Sequence, residues 1–364
     1  MSKSRATWRR VVAWGLALAA LAFVVYVVPI RDRCVDPAAP SAGARVPLSR
    51  EGNQCVLHRS SGPAVLPHEV CSKLACEPGL ASTLGRARLD LVAALGLLYL
   101  AGTLAWAIRW HALLRLADVR VSLWHTWRVT LEAQAGGILL PGGVAGDALR
   151  VASVVAKGAT PATVIGSVLL DRAIGLSTLA GLAAALAAAF DPSGGGAAVL
   201  TLAAIPVVFV LGILLLRVPA FARAEWLEHR LLVRTVKPIL AYLNDRRAPR
   251  AIASGLVASL VLSAVQLGVI RGLCTALREE PIAPRWVYTG SAITFILGIV
   301  PAVPGGWGTS DAAFVLFLGR AGLGASTAFA VGLLYRVYWY LAAALGAGLY
   351  VSRRGTGDRP APSA

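Results

Sequence analysis

The chain has 364 residues, of which 57% are hydrophobic and 15% charged, with a formal net charge of +17. So few charges exclude an ordinary soluble domain. The basic excess does not indicate nucleic acid: it crowds short loops, as the positive-inside rule expects, and no basic–aromatic nucleic-acid module is present.

In chain order, Lys3, Arg5, Arg9 and Arg10 precede Val11–Ile30, an uncharged run of twenty residues that is long enough to cross a bilayer. Its length and the missing small-x-small cleavage site favour a retained anchor, residues 1–30, over a secretory signal, whose apolar region is about 7–15 residues. Arg31–Arg88 follows as a Pro/Gly/Ser-rich insert carrying Cys34, Cys55, Cys71 and Cys76. Placed outside, residues 31–88 read as a disulfide-bearing loop, with three pairings open. A metal site is the rival reading, opposed by the Cys71-x4-Cys76 spacing and the lack of paired CxxC. Cys274 reads as a packing residue.

Residues 89–352 are expected to form the transmembrane domain. Leu91–Ile108 is the second span, and Arg109, Arg115, Arg120 and Arg128 read as a cytoplasmic loop. Thr130–Ala156 is apolar but holds Glu132, Gln134, Pro141-Gly142-Gly143, Asp147 and Arg150. Neither side of that break is long enough to cross, so two short helices in a re-entrant hairpin are expected, a form tolerated only under cover of protein or a polar cavity. Ala173–Phe190, extended upstream through Asp171-Arg172, is the third span and Gly196–Leu216 the fourth. Arg217–Arg250 then holds eight Lys/Arg against three acids. Within it, Val218–Asn244 reads as an interfacial helix with Trp226, Leu227, Leu231, Val236 and Leu240 toward lipid. Ala251–Ile270 is the fifth span, Trp286–Gly319 a second hairpin, and Ala325–Val351, interrupted by Arg336, the sixth span. The tail, 353–364, is basic.

The expected fold is therefore an all-α polytopic membrane protein with six full spans and two re-entrant helical hairpins. Parity puts both termini in the cytoplasm of a bacterial-type inner membrane and makes the hairpins enter from opposite faces. Arg271, Arg278 and Arg285 then fall outside, against the charge rule. Repeat one is 89–190, repeat two 251–352, and 191–250 joins them as a linker span and cytoplasmic helix.

The inverted repeat rests on an echo. Pro141-Gly142-Gly143-Val144-Ala145-Gly146-Asp147 returns as Pro304-Gly305-Gly306-Trp307-Gly308-Thr309-Ser310-Asp311. Gly158 stands fourteen residues before Arg172, and Gly322 fourteen before Arg336. Paired Gly/Pro interruptions in corresponding positions of two halves point to a transporter-type binding site.

Glu132, Asp147, Arg150, Asp171, Arg172, Asp311 and Arg336 all lie in or beside apolar segments. A charge at the centre of a span costs about 2.5–3.5 kcal/mol on insertion scales, so these groups must pair, meet water or serve a ligand. The structural reading pairs Asp147 with Arg150 on one helix face, and Asp311 with Arg172 or Asp147 with Arg336 across the repeats. The ligand reading uses Pro141, Gly142, Gly143, Pro304, Gly305 and Gly306 to start half-helices whose free N–H groups form an anion site. Arginine forks would complete it, and the whole would suit a phosphorylated lipid head group. Close helix packing is the competing account of the glycines.

The motif Leu-Pro-Gly-Gly-x-x-Gly-Asp-x-x-Arg (Leu140–Arg150), the Leu-Leu-Asp-Arg run (Leu169–Arg172), and Val-Pro-Gly-Gly-x-Gly-x-x-Asp (Val303–Asp311) with Tyr335-Arg336 resemble the lysylphosphatidylglycerol synthase transmembrane family of flippase-like proteins. The resemblance covers roughly Leu89–Val351. It implies a polytopic inner-membrane fold and translocation of aminoacylated phosphatidylglycerol between leaflets. This chain has Asp311 where the family usually has Glu, and its cysteine-bearing insert lies outside the pattern. The thirteen residues after Val351 leave no room for the soluble aminoacyltransferase domain of two-domain synthases.

No GxxxxGK[ST] loop or HExxH occurs, so neither an enzyme nor a cofactor is expected, and any transport would be passive or ion-coupled through Asp147, Asp171 or Asp311. The leading expectation is a flippase-like transporter moving an anionic or aminoacylated phospholipid, or another lipid-linked phosphate. The alternative is a non-transporting subunit that anchors or regulates a lipid-modifying enzyme or glycosyltransferase. A lipid-modifying transferase is a third reading. Expected partners are anionic membrane lipids and a separate lipid-modifying enzyme.

Overall fold

The computed structural model describes residues 15, 18–36, 45–51, 54–59, 62–67, 70, 74, 76–139, 143–190, 196–217, 245–277, 282–299 and 306–355. The interfacial helix expected at Val218–Asn244, together with Cys71, Pro141, Gly142, Pro304 and Gly305, lies outside these residues.

The chain is a mostly helical multi-pass membrane protein. Four helices are long and apolar enough to cross a bilayer: α3 (Leu89–Leu116), α6 (Pro161–Phe190), α8 (Ala248–Ala276) and α11 (Ala325–Gly355, apolar through Ser352). Two shorter apolar helices are α1 (Leu18–Val27) and α7 (Ala197–Arg217, apolar through Gly212). Helix α2 (Leu80–Gly85) leads into α3. The pairs α4 (Leu123–Leu139) with α5 (Val144–Val155), and α9 (Pro284–Ile299) with α10 (Thr309–Arg320), are short helices packed against each other.

The Pro-Gly-Gly motifs fall at the breaks within both pairs. Gly143 and Gly306 have φ of +71° and +67°, a conformation that costs glycine nothing and other residues much. The turns after α5 and α10 repeat the device, with φ of +94° at Gly158 and +101° at Gly322. The sequence echo is thus a recurrence of backbone geometry.

The repeats are related by an antiparallel seam. The backbone N–H of Arg88 bonds the Ala276 carbonyl at 2.9 Å. Farther along, Leu95 packs on Gly272, Val265 on Gly102, and the Arg109 stem on Gly255. At the far end Arg247 forms a fork on Asp118, at 2.8 and 3.0 Å, and those hydrogen bonds lower the Asp118 pKa. Asp147, Gly158 and Arg172 each recur 164 residues later, and on that offset Gly102 corresponds to Gln266, the neighbour of Val265. Helices α3 and α8 therefore run antiparallel and cross at residues that correspond on this offset. The flanking contacts obey the same relation. Helix α4 packs on α11 through Gly137–Trp339 and Leu131–Gly346, and the equivalent α9 packs on α6 through Leu179, Ala180, Ala292 and the Phe190–Tyr288 rings.

Two sequence expectations change. The insert carries a five-stranded antiparallel sheet in the order β4-β3-β2-β1-β5: β1 Arg33–Val35, β2 Arg45–Glu51, β3 Gln54–Arg59, β4 Gly62–Pro67 and β5 Cys76–Glu77. Alternating burial along β4 reflects a one-sided core of Cys34, Leu48, Cys55 and Leu57, a period too short to stand out among so many turn residues. Cys34 faces Cys76 across β1 and β5 and is disulfide-bonded to it. Cys55 is also disulfide-bonded, and Cys274 is buried in α8. Second, Arg109 and Arg128 are not loop residues. Helix α3 continues eight residues past Ile108 to Leu116, and α4 begins at Leu123, because each arginine finds a carboxylate among the helices.

A side chain at Gly346 would run into the Leu131 carbonyl, whereas Gly348 has open space around it. Gly346→Val should therefore lose about 1–3 kcal/mol, read as a lowered Tm in detergent, while Gly348→Val leaves Tm unchanged.

Candidate functional site

A cavity of about 330 Å³ lies where the repeats meet. Gly143 and Gly306, at the two helix breaks, both border it, with Arg109, Asp171, Arg172 and Arg336 as its charged lining among the described residues. Tyr99, Phe295, Phe314, Tyr335 and Trp339 form an aromatic part of the wall, and Ser263, Gln266, Thr294 and Ser310 add neutral polar groups. Asp147, Arg150 and Asp311 stand behind the wall, bonded to residues in it.

Helix α6 starts twelve residues before Ala173, so Asp171 and Arg172 sit inside it and project to different sides. Asp171 is fully buried. Arg109 approaches its carboxylate as a fork, Nε at 2.5 Å and Nη2 at 3.1 Å, while Arg150 Nη1 reaches it at 3.2 Å and the Trp106 indole N–H at 3.1 Å. The remaining Arg109 nitrogen, Nη1, donates to Ser259 Oγ on α8 at 3.1 Å, so one side chain joins both repeats. Arg150 lies over the rings of Trp106 and Trp110 at 4.5 and 5.0 Å, a cation–π arrangement that strengthens when desolvated. Two of its nitrogens, Nε and Nη2, have no hydrogen-bond partner.

The other ion pairs are symmetric in position and unequal in environment. Arg172 holds Asp147 at 2.6 Å and Arg336 holds Asp311 at 2.7 Å. Each pair spans 25 residues and ties the first turn of a short helix to the long helix that follows. The first pair is 27–29% exposed in its side chains, the second 7%. Arg336 also lies over Trp307 at 4.2 Å, and its Nη1 lacks a hydrogen-bond partner. A side chain at Gly143 would come within 2.9 Å of Arg172 Nη2, so the guanidinium would have to move aside for it.

Several pairings expected from sequence do not occur. Asp147 does not take Arg150, which turns inward to Asp171; Arg172 and Arg336 pair within their repeats, not with Asp311 and Asp147 across them. The helix that follows each break is short, so its first-turn acid already faces the next helix of the same repeat, whereas the other repeat's acid lies across the cavity. Nor is the start of α10 a free donor set: Asp311 accepts the Gly308 N–H at 3.0 Å. No such side-chain cap closes the start of α5. Glu132 is buried on α4, 3.7 Å from Arg128, and does not line the cavity.

Arg109, Trp106, Ser259 and Gln266 were not among the sequence candidates. On the 164-residue offset, Arg109, Arg150 and Asp171 correspond to Leu273, Phe314 and Tyr335. Repeat two replaces the charged cluster by packed rings, with Phe295 and Tyr335 centroids 5.0 Å apart and Tyr99 edge-on to Tyr335 at 5.3 Å. A search for repeated residues passes over a cluster present in one repeat alone.

The family model described as Lysylphosphatidylglycerol synthase TM region matches residues 79–346. No protein of curated function matches the chain.

The unequal burial of the two pairs sets unequal costs. Arg336→Gln strands a buried carboxylate and should cost about 3–5 kcal/mol, whereas Arg172→Gln, at a part-exposed pair, should cost about 1 kcal/mol or less. Thermal unfolding of the two variants in one detergent checks the order. A charge-swapped Asp311→Arg with Arg336→Asp should regain more stability than either single change.

Proposed function

The chain belongs to the lysylphosphatidylglycerol synthase transmembrane family, and from that premise we propose that it is a flippase-like transporter. Its cargo in this reading is an anionic or aminoacylated phospholipid, or another lipid-linked phosphate. The observation that carries the proposal is the cavity shared by the two repeats and bordered by Gly143, Gly306, Arg172 and Arg336.

A volume of about 330 Å³ is at the low end for ligand pockets, about 300–1,000 Å³. It admits a head group and leaves acyl chains along exposed apolar faces, such as those of Leu97, Leu104, Val257 and Val261. The head-group phosphate takes the Arg172 fork in place of Asp147, whose part-exposed carboxylate can be solvated instead. The α4–α5 and α9–α10 pairs act as re-entrant hairpins from opposite faces, and α1 and α7 complete six crossings with both termini in the cytoplasm of an inner membrane. The two-fold then lies in the membrane plane, the geometry of alternating access. The role is transport without chemistry on the lipid.

Reconstituted protein should move fluorescent phosphatidylglycerol between leaflets, measured by loss of dithionite-accessible label. Arg172→Lys keeps the charge and loses the planar fork, so it should slow movement about tenfold at unchanged Tm. Movement at the wild-type rate in that variant, or none in the wild type across several lipid phosphates, would sink the proposal.

A further inference from the structure

Resting on the reading that the cavity receives a lipid head group, we propose that it selects lipid phosphates carrying no compensating ammonium group and disfavours the cationic aminoacyl esters suggested by the family description. The cavity wall presents Arg109, Arg172 and Arg336 against one carboxylate, Asp171, among the described residues. With Arg150, Asp147 and Asp311 behind it, four guanidiniums face three carboxylates, leaving one positive charge. The residues at the helix breaks that lie outside the description, 140–142 and 300–305, have no ionisable side chains and leave this balance intact.

The hydrogen-bonding capacity has the same sign. An ammonium is held best by a carboxylate, and those of Asp171 and Asp311 are already engaged. Both Asp171 oxygens accept from Arg109, and one also from Arg150 and Trp106. The two Asp311 oxygens accept from Arg336 and the Gly308 N–H. The indoles of Trp106, Trp110 and Trp307 already carry Arg150 and Arg336. Buried donors without a partner add to this: Arg336 Nη1 at the wall and Arg150 Nε and Nη2 behind it. A phosphate ester meets this lining with acceptors and one negative charge. A lysyl ester of phosphatidylglycerol brings two ammonium groups and a net positive charge.

Full-length protein in detergent can be titrated with dihexanoyl phosphatidylglycerol, its lysyl ester and inorganic phosphate, reading Kd calorimetrically. Like charges about 10 Å apart at an effective dielectric constant of about 20 repel enough to shift binding about tenfold. The unmodified lipid should therefore bind at least about tenfold tighter than the lysyl ester. Equal or tighter binding of the lysyl ester, or binding of neither lipid, overturns the proposal. Inorganic phosphate binding as tightly as the lipid would make free phosphate the ligand, and overturns it too. Arg172→Gln releases Asp147 at the part-exposed pair and cancels the net charge, so the preference should fall to about unity; an unchanged preference overturns the charge argument. Kd is read without transport: selectivity without lipid movement would remove the flippase reading alone, and movement without selectivity this inference alone.

Discussion

An ionised group among apolar helices needs a partner, and the rest of the structure is arranged to supply one. Breaking a buried pair costs about 3–5 kcal/mol, comparable to a large share of a protein's net stability. Each charge therefore dictates which helices touch. Asp171 draws α3 and α5 onto α6 through Arg109 and Arg150, while Asp147 and Asp311 bind the short helices to α6 and α11. The breaks at Gly143 and Gly306 are held in place by these bonds as well as by packing.

Symmetry and its violation divide the work. The antiparallel α3–α8 seam and the glycine turns are shared by both repeats, and they set where the cavity lies. The charged cluster around Asp171 and the rings around Tyr335 are not shared, and they make the two sides of the cavity wall chemically different. Repeat two also has one more residue between its break and its acid, so the offset is 163 residues at Gly143–Gly306 and 164 at Asp147–Asp311. Gly308, at φ of +77°, absorbs the addition and donates its N–H to Asp311. The two helix starts thus differ in charge compensation although the chain around them is alike.

The long helices, the paired breaks and the family were legible in the sequence because each leaves a local mark: an uncharged run, a Pro-Gly-Gly, an ordered motif. The intramembrane charges were legible as a set, since Glu132, Asp147 and Arg336 stand out in apolar surroundings. Their pairing was not. Partners such as Asp147 and Arg172 lie 25 residues apart, and which of several arginines reaches a carboxylate depends on helix rotation. Arg109 was lost for a different reason. It follows an apolar run at the point where a loop is expected, and only the neighbouring Ser259, Gly175 and Asp171 keep it inside.

The inserted sheet leaves and rejoins the bundle at one place. Gly79 packs directly on the backbone of Ile30 and Arg31, Leu80 and Ala81 bond the carbonyls of Pro29 and Ile30, and Asp32 accepts from the Gly79 N–H and the Ser82 hydroxyl. The Cys34–Cys76 bond closes the same neck from the other side. A segment whose ends meet in this way behaves as a graft: its length and sequence can drift, or another fold can replace it, without moving the helices below. Changes in the sheet are then uncoupled from the cavity, which is lined by helices and their breaks alone among the described residues.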